Sequence, residues 1–167
     1  MPDTAPETQA ALARRPVRDA DSEALIALIG GCWAEYPGCV MDVDGEEPWL
    51  RAPAAYYARR GGTMWVVERG GAVLACAGVV PDGERAELKS LYVAAAGRRQ
   101  GLGARLVAAV EAEAVRRGAT RIELWSDTRF DDAHRLYHRL GYTRTGGERE
   151  LHDRSATVEW EFAKHLP

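Results

Sequence analysis

Apolar residues recur along the chain at two spacings, which together predict an ordered series of strands and helices. Strands are predicted where apolar and polar residues alternate or run together between turn residues, at residues 16–18, 63–68, 72–80, 85–93, 121–126, 142–150 and 155–162. Helices are predicted where apolar residues recur every three or four positions, in the stripe 24–32 and at residues 54–60, 104–117 and 131–140. Consecutive strands followed by two strand–helix units predict an α/β (α+β) fold. We expect a mixed, twisted sheet of six to seven strands with helices on both faces.

Length and composition are those of one globular domain. The chain has 167 residues, of which 46% are hydrophobic and 28% charged, enough to build a single core. We expect a flexible lead-in over residues 1–14, where the sequence is polar and rich in alanine, and one domain over residues 15–167. The net charge of −3 argues against a nucleic-acid-binding protein. No apolar run approaches the ~20 residues of a membrane span.

The cysteines suggest where the protein resides. Cys32, Cys39 and Cys76 are odd in number and have neither the spacing of a zinc site nor that of a disulfide framework. We therefore expect no metal and a reducing, cytoplasmic environment.

A glycine-rich turn, Gly97–Gly103, joins the strand 85–93 to the helix that follows. Such a turn leaves backbone N–H groups free at the helix start, where the helix dipole also favours an anion such as pyrophosphate. The dinucleotide pattern G-x-G-x-x-G fails because Leu106 stands at its third glycine, and the P-loop lysine is absent. The alternative is a helix-capping turn with solvated arginines.

Three sequence motifs, in the order in which they occur along the chain, resemble those of the GNAT superfamily of N-acetyltransferases. The turn reads Arg98-x-x-Gly101-x-Gly103, as in the acyl-CoA pyrophosphate loop of that family. The strand end Leu91-Tyr92-Val93 and the segment Ala133–Tyr142, which reads A-x-x-L-Y-x-x-x-G-Y, match two further family segments. One departure is Phe130, which stands where many members carry an asparagine that helps to hold the cofactor; Ser126, Asp127 or Thr128 could replace that contact.

The resemblance implies acetyl-CoA as co-substrate and assigns roles to individual residues. Tyr137 would protonate the leaving thiolate, and Glu87 would act as general base. The alternatives are a core aromatic for Tyr137 and, for Glu87, a cross-strand ion pair with Lys89 or Arg85. The implied cofactor contacts are Leu91, Tyr92, Val93, Arg98, Arg99, Gln100, Gly101, Leu102, Gly103 and Ala104.

The acceptor is expected to be the primary amine of a small molecule, attacked directly in a ternary complex. Trp33, Tyr36 and Asp42 are the candidate substrate residues. Asp42 belongs to the acidic segment 42–47, which could attract a cation, and Trp33 and Tyr36 flank that segment and could build an apolar substrate wall. A solvated loop is the alternative interpretation of that segment. Acetylation of a peptide N-terminus or a protein lysine, or a non-catalytic acyl-CoA-binding module, are alternative functions. The resemblance also suggests a possible homodimer.

Overall fold

The computed structural model describes residues 12–167 as one seven-stranded sheet with helices on both faces. Most of the lead-in predicted over residues 1–14 lies outside the described residues, and Arg14 begins the first strand. The elements are β1 Arg14–Pro16, α1 Ser22–Trp33, α2 Pro53–Arg59, β2 Thr63–Arg69, β3 Ala72–Asp82, β4 Arg85–Val93, α3 Leu102–Arg116, β5 Arg121–Asp127, α4 Asp131–Arg139, β6 Thr143–Glu150 and β7 Val158–His165. The strand order is β1-β2-β3-β4-β5-β7-β6, and only β4 and β5 pair in parallel.

The predicted fold class is confirmed, and the differences are confined to the ends of elements. β7 begins at Val158 rather than at residue 155, because Ser155 and Thr157 form hydrogen bonds with loop residues. Ser155 Oγ accepts the Val40 N–H at 2.8 Å, and Asp153 accepts the Thr157 N–H at 2.8 Å. The third helix begins two residues earlier than predicted.

Two apolar cores cover the two faces of the sheet, because successive strand residues point to opposite sides. In β2, Val67 joins the core beneath α3 and α4, whereas its neighbour Val66 joins the core beneath α1 and α2. The stripe predicted on the third helix, formed by Leu106, Val107, Val110 and Ala114, is fully buried in the first of these cores.

β4 and β5 separate after a short stretch of pairing. Their ladder joins Arg85–Glu87 to Arg121–Glu123 and then stops, although β4 continues to Val93 and β5 to Asp127. Along the rest of β4, the side that faces β5 therefore pairs with no strand of the described chain. A wedge-shaped opening results in the middle of the sheet.

A β-bulge in β4 lies where the strands separate. Tyr92 lies opposite Cys76 and Lys89 opposite Gly78, so β4 carries one more residue than β3 over this interval. Ser90 within the bulge has a φ of 56°, in the left-handed region. A bulge bends its strand and increases the local twist, which accounts for the departure of β4 from β5.

Candidate active site

The turn before α3 presents a row of backbone N–H groups without acceptors. Within residues 12–167, no hydrogen bond engages the N–H groups of residues 99–104, and the first helical bond runs from Arg105 N to Gly101 O at 3.0 Å. Gly101 makes this geometry possible because its φ of 72° lies in the left-handed region, where a side chain would be strained. The positive end of the α3 dipole lies at the same place, so the turn is suited to an anion.

A cavity of about 380 Å³ opens in front of this turn. Arg98, Arg99 and Arg139 supply cationic lining, while Leu91, Val93, Leu102 and Leu136 supply apolar lining. A cavity that is cationic at the helix start and apolar along the strand fits a ligand with an anionic end and an uncharged arm. The residues predicted to contact the cofactor line this cavity, except Gln100, whose side chain donates to Ala96 O at 3.0 Å.

Two groups hold Arg98 at the rim of this cavity. Its guanidinium makes two hydrogen bonds to the Glu35 carboxylate, one of 2.7 Å, and its Nε donates to Val93 O at 3.2 Å. The hydrogen bonds from Arg98 lower the pKa of Glu35. Glu35 therefore stays ionised near neutral pH, and an incoming anion would compete with it for Arg98.

A larger cavity of about 760 Å³ lies on the α1–α2 side of the opening between β4 and β5. Its walls are rich in aromatic side chains, namely Trp33, Trp49, Tyr56, Tyr92, Trp125, Phe130 and Tyr137. The two cavities share four lining residues, Leu91, Tyr92, Phe130 and Ala133. They therefore meet at the end of β4, beside the bulge.

Tyr137 of α4 lies beside this junction. Its side chain is only 4% exposed and packs on Tyr142 and Phe162, with ring centroids 5.8 and 5.6 Å away. Its hydroxyl forms no hydrogen bond with any described residue, and burial raises the pKa of the phenol. Tyr137 is thus a neutral proton donor on the wall of the larger cavity.

Two aromatic pairs shape the junction. Trp33 Nε1 donates to the Tyr92 hydroxyl at 3.1 Å, which joins α1 to β4. Tyr36 packs on Phe130 with centroids 4.8 Å apart. An aromatic contact thus occupies the position of the family's asparagine. Of the suggested replacements, Ser126 pairs with His134 at 3.1 Å and Asp127 with Arg129 at 2.7 Å.

The structure separates the residues that the sequence grouped as acceptor-binding. Trp33 lines the larger cavity, Tyr36 lines the smaller one, and Asp42 lines neither. The Asp42 carboxylate lies 3.4 Å from Arg154 and accepts the Gly45 N–H. Glu87 also lies outside the lining of both cavities, 3.3 Å from Lys89. Lys89 is a partner foreseen for Glu87, although it lies on the same strand rather than across from it. The role of Glu87 as a base stays a prediction.

Sequence reasoning missed several lining residues, of which Glu47 matters most. Glu47 Oε2 accepts the Trp49 Nε1–H at 2.6 Å, and burial raises the pKa of its carboxyl. A carboxylate two residues before a tryptophan, inside an acidic loop, was the only available signal.

Within residues 12–167, no group of three or more His, Cys, Asp or Glu side chains is arranged to hold a metal ion. None of the helices described there is long and apolar enough to span a membrane.

A family model described as the acetyltransferase (GNAT) family matches residues 23–142. The chain belongs to the GNAT acetyltransferase family. No curated protein matches it closely enough to suggest a substrate. The family resemblance inferred from the three motifs is therefore confirmed, and with it the transferase class of the domain.

Solved structures agree with a GNAT fold. An acetyltransferase from Streptococcus agalactiae superposes with a TM-score of 0.78 at 19% identity, covering 94% of this chain and 99% of its own. A GNAT-family acetyltransferase from Staphylococcus aureus Mu50 gives 0.75 at 19% identity, covering 93% and 100%. The PaiA N-acetyltransferase of Thermoplasma acidophilum, in complex with coenzyme A, gives 0.72 at 15% identity, covering 92% and 98%. At these identities the likeness shows the fold alone.

GNAT enzymes use acetyl-CoA, and the lining of the smaller cavity has groups that could hold parts of this molecule. The free N–H groups of residues 99–104 and the nearby arginines suit a pyrophosphate. Beyond Glu87, the unpaired side of β4 offers backbone donors and acceptors to an extended amide-containing arm. At Gly103, a Cβ atom would lie 3.0 Å from Leu136 Cδ2, so glycine allows α3 and α4 to approach closely behind the turn.

Proposed function

We propose that the protein is an N-acetyltransferase that moves the acetyl group of acetyl-CoA to the primary amine of a small molecule. The observation that carries this proposal is the meeting of two chemically different cavities at the end of β4. The smaller cavity suits the cofactor, and the larger one has room for an organic amine of modest size. Tyr137 lies beside the place where they meet.

The residues around the junction supply what acetyl transfer requires. The thioester of acetyl-CoA supplies the acetyl group: a C–N bond forms, the C–S bond breaks, the nitrogen loses a proton and the leaving thiolate takes one. Tyr137 donates the proton to the thiolate from its hydroxyl, which burial keeps neutral at physiological pH, and the proton that the nitrogen loses restores that hydroxyl. Backbone N–H groups of Leu91 and Val93 bind and orient the arm of the cofactor, and aromatic walls exclude water from the junction.

The cysteines support direct attack by the amine rather than an acyl-enzyme. Cys32 lines the smaller cavity and Cys39 the larger, while Cys76 is fully buried in β3. Burial raises the pKa of all three thiols. A thiol held in its protonated form is a poor nucleophile, so we propose a single ternary complex.

Calorimetry and a thiol-release assay together test this function. We expect wild-type protein to bind acetyl-CoA and to release thiol when primary amines are added. The double variant R98A/R99A should lose binding by about tenfold or more, since each arginine–phosphate contact contributes more than 1 kcal/mol. R69A is the control, because Arg69 lies at the end of β2 and lines neither cavity.

The outcomes separate the alternatives. Turnover of peptides but not of small amines would indicate an N-terminal or lysine acetyltransferase. Tight binding of acetyl-CoA without turnover of any amine would indicate a binding module, and no binding at all would refute the proposal. The homodimer and the cytoplasmic location stay predictions.

A further inference from the structure

The larger cavity contains one acidic side chain that is available to a ligand. Five carboxylates line it. Four of them accept a backbone N–H or pair with an arginine: Glu46 accepts Arg154 N, Asp153 accepts Thr157 N, Asp127 pairs with Arg129 and Glu159 pairs with Arg149. Among the described residues, the Glu47 carboxylate hydrogen-bonds only to the neutral indole N–H of Trp49 and forms no ion pair within 4 Å. A partly buried carboxylate with no cation in contact is costly, and an incoming cation would relieve that cost.

The surroundings of Glu47 specify the kind of cation. Trp49 packs on Tyr56 with centroids 5.5 Å apart, and Trp33 and Trp125 line the same cavity. Aromatic faces attract ammonium groups and bind flat apolar bodies. One available carboxylate among aromatic walls suits a monocationic amine on an aromatic body, whereas a polyamine would require several available carboxylates.

Glu47 also lies in the cavity from which an amine reaches the junction. It lines the larger cavity together with Tyr92, which lines both cavities and accepts the Trp33 N–H. An amine bound at Glu47 is therefore in the same cavity as the residue where the acceptor must meet the acetyl group. Glu87 lines neither cavity.

We propose that Glu47 binds the ammonium group of an aromatic primary amine and takes its proton before acetyl transfer. The N–H proton moves to a Glu47 oxygen, and the nitrogen lone pair becomes free to attack. After transfer, the Glu47 proton passes to solvent and restores the carboxylate. The proposal rests on the proposed function and names the substrate class and the base of that site.

Besides burial, three charged groups act on the titration of Glu47: Glu46 on its own segment and Asp153 from the β6–β7 loop raise its pKa, and Lys89 from β4 lowers it. The other charged groups that line the same cavity are Arg59 and Arg60 from α2, Asp127 from β5 and Glu159 from β7. Burial raises the pKa of Glu47, so activity should rise with pH through a value above that of an ordinary glutamate, about 4.3.

The decisive variant is E47Q, which keeps an oxygen for the Trp49 N–H and removes the charge. Calorimetry on wild-type protein compares tryptamine with tryptophol, in which a neutral hydroxyl replaces the ammonium. We expect wild type to prefer tryptamine by about 30-fold or more and E47Q to lose that preference. With tryptamine as acceptor, kcat/KM of E47Q should fall by about 10²-fold or more and lose its rising pH limb.

Two matched variants make the result specific. D44N removes an exposed carboxylate of the same segment that lines neither cavity and whose one ion pair among the described residues is with Arg51, so it should leave binding and rate unchanged. E87Q tests the competing base. Loss of the pH limb in E87Q but not in E47Q would overturn the proposal, as would an unchanged tryptamine preference in E47Q or no tryptamine binding to wild type. If wild type binds tryptamine through Glu47 but acetylates no amine, the proposed function fails while the ammonium site stands.

Discussion

Replacing Tyr137 by phenylalanine separates catalysis from folding in this protein. The Tyr137 hydroxyl forms no hydrogen bond with any described residue, and its ring keeps its contacts with Tyr142 and Phe162 when the oxygen is removed. The free energy of unfolding should therefore change by less than about 0.5 kcal/mol. The loss of a general acid should lower kcat by about 10²- to 10⁴-fold, equivalent to roughly 3–5 kcal/mol of activation free energy.

A neighbouring tyrosine, Tyr142, provides the control, because its replacement by phenylalanine should lower stability and leave catalysis unchanged. Tyr142 is equally buried, but its hydroxyl donates to Glu111 at 3.0 Å and it lines neither cavity. Y142F should therefore lose about 1–2 kcal/mol of stability and keep its kcat. Thiol release at saturating acetyl-CoA gives kcat, thermal unfolding gives stability, and calorimetry checks that Y137F binds acetyl-CoA as wild type does. A Y137F variant with kcat within twofold of wild type would refute Tyr137 as the acid.

Three further substitutions test the scaffold around the site. G78A would place a Cβ atom 2.3 Å from the ring of Tyr57, so we expect a loss of about 1–3 kcal/mol in denaturant unfolding; unchanged stability would contradict the close packing beneath the bulge. G30A adds a methyl group inside α1 with nothing within 4 Å, so thermal unfolding should show a gain of about 0.5–1 kcal/mol rather than a loss. D21N removes the partner of Arg15 at 2.8 Å. Because hydrogen bonds from Arg15 lower the pKa of Asp21, its stabilisation is complete above the unfolded value of about 3.9 and is lost as pH falls through the folded pKa. The variant should therefore be about 1–3 kcal/mol less stable at pH 7, and unfolding curves at pH 7 and pH 3 should show that deficit shrinking in acid.

Local patterns in the sequence were sufficient for the fold class and the family. The turn Gly97–Gly103 follows the end of a strand, contains a glycine with positive φ and leads directly into a helix. Its structure therefore depends little on distant contacts. The motif of α4 is local in the same way, since Tyr137 and Gly141 lie within one helix and its C-terminal turn. The start of β7 differs from prediction because side chains there compete for backbone hydrogen bonds, as the Asp153 carboxylate does when it accepts the Thr157 N–H.

The acceptor side of the site depends on contacts that join distant parts of the chain. Asp42 and Glu47 lie five residues apart in one acidic loop, and only the tryptophan two residues after Glu47 distinguishes their local sequences. Folding directs Asp42 toward Arg154, more than a hundred residues away, while Trp49 holds Glu47 at the wall of the larger cavity. A carboxylate that pairs with a distant arginine is neutralised by it, whereas a carboxylate that faces an aromatic cavity still has no cation in contact. The separation of β4 from β5 creates that cavity. Because a bulge at Ser90 and the end of a ladder at Glu87 arise from strand pairing, local sequence patterns alone could not predict the candidate acceptor site.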